Sequence, residues 1–94
     1  MRILVVDDDA HVARSVRRGL EGEGYAVDVA FDGTEGHWLA SENPYDAMVL
    51  DSMLPGISGD ELCARLRAAG VWTPILMLTA RGSEDDKVRG LMDA

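Results

Sequence analysis

The sequence has no second cysteine, no proline-rich stretch, no long apolar run and no excess of basic residues, and each shortage excludes a class of protein. With only Cys63 there is no internal disulfide, the usage expected in a reducing cytoplasm. Its place in a helical apolar pattern favours a small buried hydrophobe over a reactive thiol. The longest uncharged apolar runs, such as Ile3 to Val6 and Ile75 to Leu78, fall far short of the ~20 residues that cross a bilayer, and no signal peptide opens the chain. Neither membrane insertion nor secretion is expected. Basic residues number 9 against 17 acidic ones, and the net charge of -8 repels a phosphate backbone. This segment is therefore not expected to grip nucleic acid itself; clustered acids attract cations instead.

What is present is an ordinary globular balance, 47% hydrophobic and 28% charged over 94 residues, read as one domain spanning 1-94. A chain of this size buries somewhat over ~60% of its unfolded surface, so its single core is thin. Arg2 to Val6 is an aliphatic run closed by Asp7-Asp8-Asp9, the pattern of a strand buried on both faces in a parallel sheet. From Asp9, an N-cap, the period becomes helical: Val12, Ala13, Val16 and Leu20 share one face, Arg14, Arg17 and Arg18 the other, and Gly22 and Gly24 stop the helix. Tyr25 to Ala30 alternates as a more exposed strand near a sheet edge. Asp32-Gly33-Thr34 opens a second helix to about Glu42, ended by Asn43-Pro44.

Ala47 to Leu50 is a third strand, and it too finishes on an acid, Asp51, before the loop Ser52-Met53-Leu54-Pro55-Gly56. Ser58 caps a third helix with Glu61 at the capping-box position and Leu62, Cys63 and Leu66 on its apolar face, running to Gly70. Ile75 to Leu78 is a fourth strand ending at Thr79-Ala80, and Ser83 to Asp86 begin a fourth helix. The β-α-β-α-β-α-β-α order with short links implies right-handed crossovers and an open parallel sheet with helices on both faces.

Ligands of such sheets sit beyond the carboxyl ends of the strands. If strands one, three and four are neighbours, Asp7, Asp8, Asp51 and Thr79 converge on one cleft. Two carboxylates ~4 Å apart repel by ~4 kcal/mol at an effective dielectric of 20, so the cluster calls for a cation or a proton. Hard oxygen donors with little sulfur or imidazole nearby suit Mg2+ together with the phosphate oxygens of a reactant. In that reading Asp51 is the nucleophile of phosphoryl transfer, Asp7 and Asp8 hold the metal, Thr79 bonds a phosphoryl oxygen, and the small Ala80 leaves space. Taken singly, Asp7 to Asp9 is a helix-capping loop, Asp51 a turn residue and Thr79 a β-branched strand end; their coincidence at strand tips is what points to chemistry. His11 and His37 read as solvated surface residues, and Trp38 and Trp72 as packing or partly exposed groups. The Arg14, Arg17, Arg18 stripe reads as a solvated face open to an acidic partner.

Ile-Leu-Val-Val-Asp-Asp-Asp at 3 to 9, Gly-Tyr-Ala-Val at 24 to 27, Leu-Asp-Ser-Met-Leu-Pro-Gly-Ile-Ser-Gly at 50 to 59 and Pro-Ile-Leu-Met-Leu-Thr-Ala-Arg at 74 to 81 closely resemble the receiver domain of two-component response regulators. The branch resembled most is the OmpR-type winged-helix transcription factors. The resemblance implies a CheY-like (flavodoxin-like) doubly wound parallel sheet with strands in the order 2-1-3-4. It implies that Asp51 accepts a phosphoryl group from the phosphohistidine of a sensor histidine kinase, and that Asp8, Asp51 and the main-chain carbonyl of Met53 hold Mg2+ while Asp7 acts through water. Thr79 then matches the switch hydroxyl and Ala80 the small residue beside it. DNA is reached only through an effector domain that these residues do not include.

Within these 94 residues no counterpart is expected of the family's fifth strand, with its lysine, proline and aromatic switch residue, or of its fifth helix. The one lysine of the chain, Lys87, matches nothing in the site, and the last residues, Gly90-Leu91-Met92-Asp93-Ala94, depart from the family's usual run, so a shortened receiver is expected. Slow phosphorylation and self-association, through an exposed fourth-strand edge or by segment exchange, follow as expectations. Three alternatives stand beside this reading: a vestigial receiver acting only as an interaction module, a flavin-binding domain on the same topology, and a Mg2+-dependent phosphatase. The flavin reading is disfavoured because three acids stand where the first turn would need phosphate donors. The phosphatase reading lacks a visible general acid.

Overall fold

Runs of aliphatic residues bounded by turn formers pair into a parallel sheet, as their nearly continuous hydrophobicity requires. A computed structural model describes residues 1–78, with β1 at Arg2–Val6, α1 at Ala10–Gly22, β2 at Ala26–Ala30, α2 at Gly33–Glu42, β3 at Ala47–Asp51, α3 at Gly59–Ala68 and β4 at Ile75–Leu78. The strand order is β2-β1-β3-β4, all parallel, as expected from the resemblance. The expected fourth helix from Ser83 lies outside the described residues. Among the described residues no helix is long and apolar enough to cross a membrane.

Alternate residues of β1 and β3 feed two cores. Leu4, Val6, Met48 and Leu50 pack with Ala40 of α2 and Leu62 and Leu66 of α3. Ile3, Val5 and Val27 pack on the other face with Ala13 of α1, flanked by Val16 and Leu20. The sheet is thus wound on both sides, and β1 is buried along Ile3 to Val6. Leu4, Leu50, Leu62 and Leu66 are fully enclosed, each stabilising the fold by roughly 1.5 to 3 kcal/mol through burial.

Most boundaries fall where the capping residues put them. The Asp9 carboxylate accepts from the N–H groups of His11 and Val12, Asp32 from Glu35, and Ser58 from Glu61, so each helix has its first donors satisfied. Two boundaries move inward. Tyr25 precedes β2, its N–H being taken by Leu20 O at the end of α1, and α3 stops at Ala68 because Gly70 turns into the left-handed region at φ 83°. His37 is half-buried, not a fully solvated residue as expected; it follows Gly36, which lies tight against Val6. Trp38 and Trp72 are largely exposed, and Cys63 is half-buried against the α2/α3 core.

One polar network ties β1, β2 and the segment before β3 together. Arg2 donates through Nε and Nη2 to Asp28 Oδ2 at 3.0 and 2.7 Å, and the Tyr45 hydroxyl donates to the same oxygen at 2.7 Å. The guanidinium also lies 5.2 Å from the Tyr45 ring centre. The Tyr45 hydroxyl, aided by Arg2, holds the Asp28 carboxyl below its ordinary value, against the opposing effect of burial. Burial, then the bond to Asp28, pushes the Tyr45 hydroxyl up to about 12.

A depressed acid contributes stability above its unfolded value and loses it as pH falls; a raised phenol contributes below its unfolded value and loses it as pH rises. The Tyr45 contribution is therefore full below about pH 10 and is lost as pH climbs toward about 12. Tyr45→Phe keeps the ring but removes the bond, with an expected cost of about 1 kcal/mol at neutral pH and a flatter alkaline limb. Urea midpoints measured across that range check it. A variant whose stability falls as steeply as the parent's would remove Tyr45 as the source.

Candidate functional site

The sheet brings its acids together because parallel strands in register end side by side. Val6 of β1 pairs with Leu50 of β3, so the next residue of each strand, Asp7 and Asp51, emerges at the same carboxyl edge. One carboxylate oxygen from each of Asp7, Asp8 and Asp51 lies within 4.8 Å of the others. Asp9 is drawn away, since its carboxylate caps α1. The three acids differ in setting: Asp7 is buried, Asp51 half-buried and Asp8 exposed.

Local hydrogen bonds hold two of them. Asp7 Oδ1 accepts the Asp9 N–H at 2.9 Å, and Asp51 Oδ1 accepts the Met53 N–H at 3.1 Å. Burial pushes the Asp51 carboxyl above its ordinary value; the Met53 N–H opposes this, while the charges of Asp7 and Asp8 reinforce it. Among the described residues no lysine or arginine pairs with any of the three; the ion pairs there are Arg2 with Asp28, Arg17 with Glu21 and Arg65 with Glu61. A buried carboxylate crowded by two others and lacking a cationic side chain is a donor set that fits a hard divalent cation. The residues present therefore suit Mg2+.

The other expected site residues divide. Met53 stands in the loop after β3 with its side chain largely exposed and its N–H on Asp51. Leu78, the residue before Thr79, is the register partner of Asp51, and its carbonyl accepts the Ser52 N–H at 2.8 Å. Thr79 and Ala80 themselves lie outside the described residues. Neither His11 nor His37 belongs to the acid group.

Two glycines, Gly33 and Gly59, shape the loop that follows Asp51. A Cβ on Gly59 would collide with the backbone carbonyl of Asp51, and one on Gly33 with that of Ile57. Each glycine is thus required by close backbone approach. Gly33 is legible as part of a turn and cap signal and Gly59 as the end of the motif at 50 to 59, but the contact partner of each is set by the fold.

Comparison with known proteins agrees with this geometry. The chain matches the family model of the response regulator receiver domain over residues 3–94. It is 50% identical over 91 residues to the transcriptional regulatory protein TcrA of Mycobacterium tuberculosis, which covers 97% of this chain and 36% of that protein. The chain therefore spans little more than a third of the length of that curated relative. Among solved structures, the receiver domain of the Francisella response regulator 1452 superposes with a TM-score of 0.86 at 37% identity, covering 97% of this chain and 75% of that one. The response regulator TrrA of Thermotoga maritima, in complex with Mg2+ and BeF, gives 0.81 at 37% identity over 86% of this chain and 70% of that one. The sheet order, the acids at its carboxyl edge and a family match over nearly the whole sequence converge: the chain belongs to the response regulator receiver domain family.

Proposed function

We propose that the chain is the phosphoacceptor module of a two-component response regulator, with Asp51 taking a phosphoryl group from the phosphohistidine of a sensor histidine kinase. The observation that carries this reading is the meeting of the Asp7, Asp8 and Asp51 carboxylates within 4.8 Å at the end of a parallel sheet. The Met53 N–H occupies Asp51 Oδ1, which leaves Oδ2 as the attacking oxygen. In the transfer, Oδ2 forms a bond to phosphorus as the phosphorus–nitrogen bond of the donor breaks, giving an acyl phosphate on Asp51 and a free imidazole on the kinase. Asp7, Asp8, Asp51 and the Met53 carbonyl are the groups that would hold Mg2+. When bound, the ion neutralises charge on the carboxylates and the transferring phosphoryl oxygens. Thr79 and Ala80 keep the switch and spacing roles of the family.

The likeness to a transcriptional regulatory protein supports control of transcription through a DNA-binding effector domain, with the receiver working in the cytoplasm beside its kinase. β4 is the outer strand of the described sheet, and self-association through its edge or by segment exchange belongs to the same reading.

Acetyl phosphate with Mg2+ tests the acceptor. One phosphoryl group is expected to appear on Asp51 by intact mass and peptide mapping. Tested as the 94-residue polypeptide, in which Lys87 is the sole lysine, the reaction is expected to be slow, since one cation of the phosphoryl clamp is lacking. A longer chain supplying the family's lysine-bearing strand should react faster. Labelling at any residue other than Asp51, or none in the longer chain, would refute the reading.

A further inference from the structure

Asp51 sits at the end of a strand, but the loop that follows it, from Ser52 to Ser58, is where its backbone leaves the sheet, and that loop is gripped from two helices. On one side α3 begins against it: the Gly59 N–H donates to Ser52 O at 3.1 Å. On the other side is α2, an element with no residue in the acid group. The Gly33 N–H donates to Pro55 O at 3.3 Å, the Gly33 Cα lies against the Ile57 backbone, and Thr34 Oγ1 packs against Gly56. Ile57 is itself buried in the α2/α3 core, so the loop has little room to shift unless the start of α2 shifts with it.

We infer that the N-terminus of α2, held by the Asp32 cap and applied through Gly33, is the positioning element for the Asp51 acceptor loop, so that loosening this end of α2 loosens the Met53–Asp51 contact. The inference rests on the acceptor reading only for its functional consequence; the mechanical link is independent of it. Misplacement of an acceptor by ~1 Å can cost on the order of a hundredfold in rate, which makes such a support consequential. Asp32, whose Oδ1 accepts the Glu35 N–H at 2.7 Å, fixes the first turn that carries Gly33.

The test compares the two ends of one helix. Asp32→Ala removes the N-terminal cap, Asp32→Asn keeps it without the charge, and Asn43→Ala removes the side-chain bond to Leu39 O at the far end. Hydrogen exchange of the Met53 amide is followed by NMR, together with Mg2+ binding by calorimetry. Asp32→Ala is expected to speed Met53 exchange about fivefold and to weaken Mg2+ binding in the same direction, while Asp32→Asn restores both and Asn43→Ala leaves both at the parent level. Gly33→Ala should act in the same sense and more strongly; where it does not fold, the Asp32 pair decides. Equal effects from Asp32→Ala and Asn43→Ala, or an unmoved Met53 amide in Asp32→Ala, overturn the inference. A parent chain that binds no Mg2+ would count against the acceptor reading alone, because Met53 exchange still reports the support.

Discussion

Asp51→Asn is expected to yield a chain that is more stable than its parent in Mg2+-free buffer and unable to accept a phosphoryl group. The asparagine side chain keeps an oxygen for the Met53 N–H but removes one of three carboxylates whose oxygens meet within 4.8 Å. At such distances a pair of unit charges repels by about 3 to 4 kcal/mol at an effective dielectric of 20, and exposure of Asp8 and partial exposure of Asp51 reduce the net relief to about 1 kcal/mol. For a domain of this size that is a Tm gain of about 4 to 8 °C. Adding Mg2+ should reverse the order. An ion that binds only the folded parent at 100 times its Kd stabilises it by about 2.7 kcal/mol, and the variant, short of one ligand, gains less. Thermal melts of both chains with and without Mg2+, beside acetyl phosphate labelling, read both effects. A variant less stable than the parent without metal would mean that the acids are not in mutual repulsion, and the cation-holding role would lose its physical basis.

That crossing of stabilities arises from a pattern legible in the chain before any coordinates. Two aliphatic runs, Ile3 to Val6 and Ala47 to Leu50, each break on aspartate, and once both are parallel strands in one sheet their ends must share an edge. Cap residues were equally legible, because Asp9, Asp32 and Ser58 satisfy donors two or three residues away and so depend on local sequence alone. Partners far apart in the chain were not. The Arg2, Asp28 and Tyr45 network joins positions 26 and 17 residues apart, and Asp28 in the sequence is one polar residue in an alternating strand. Gly33 is readable as part of a turn and cap signal and Gly59 as part of a motif, but nothing local says that one meets Ile57 and the other Asp51. The partial burial of His37 escaped for the same reason, since helical period places it on a flank whose depth depends on how closely Gly36 lets α2 approach Val6.

Gly59→Ala and Gly19→Ala should move stability in opposite directions, although both add a single methyl to a glycine in a helix. At Gly19, exposed on α1, a Cβ meets nothing within 4 Å, so the alanine gains helix propensity of about 0.5 to 1 kcal/mol. At Gly59 the same Cβ collides with the Asp51 carbonyl oxygen and falls 2.8 Å from Ser52 Cα, and both obstacles are backbone. Backbone cannot swing aside as a side chain can, so either α3 tilts away from the sheet or the end of β3 shifts. Overpacking of this kind costs roughly 3 kcal/mol, a Tm loss of roughly 12 to 24 °C. Because the obstructed atoms belong to Asp51 and Ser52, the strain is delivered to the acid cluster, and Mg2+ binding should weaken in the folded fraction of Gly59→Ala while Gly19→Ala binds as the parent does. Melting curves and Mg2+ titrations of the two variants separate the terms. If Gly59→Ala melted within a degree or so of the parent, α3 would not be seated on the backbone of Asp51, and the close approach that fixes the loop after Asp51 from the α3 side would be lost as an explanation.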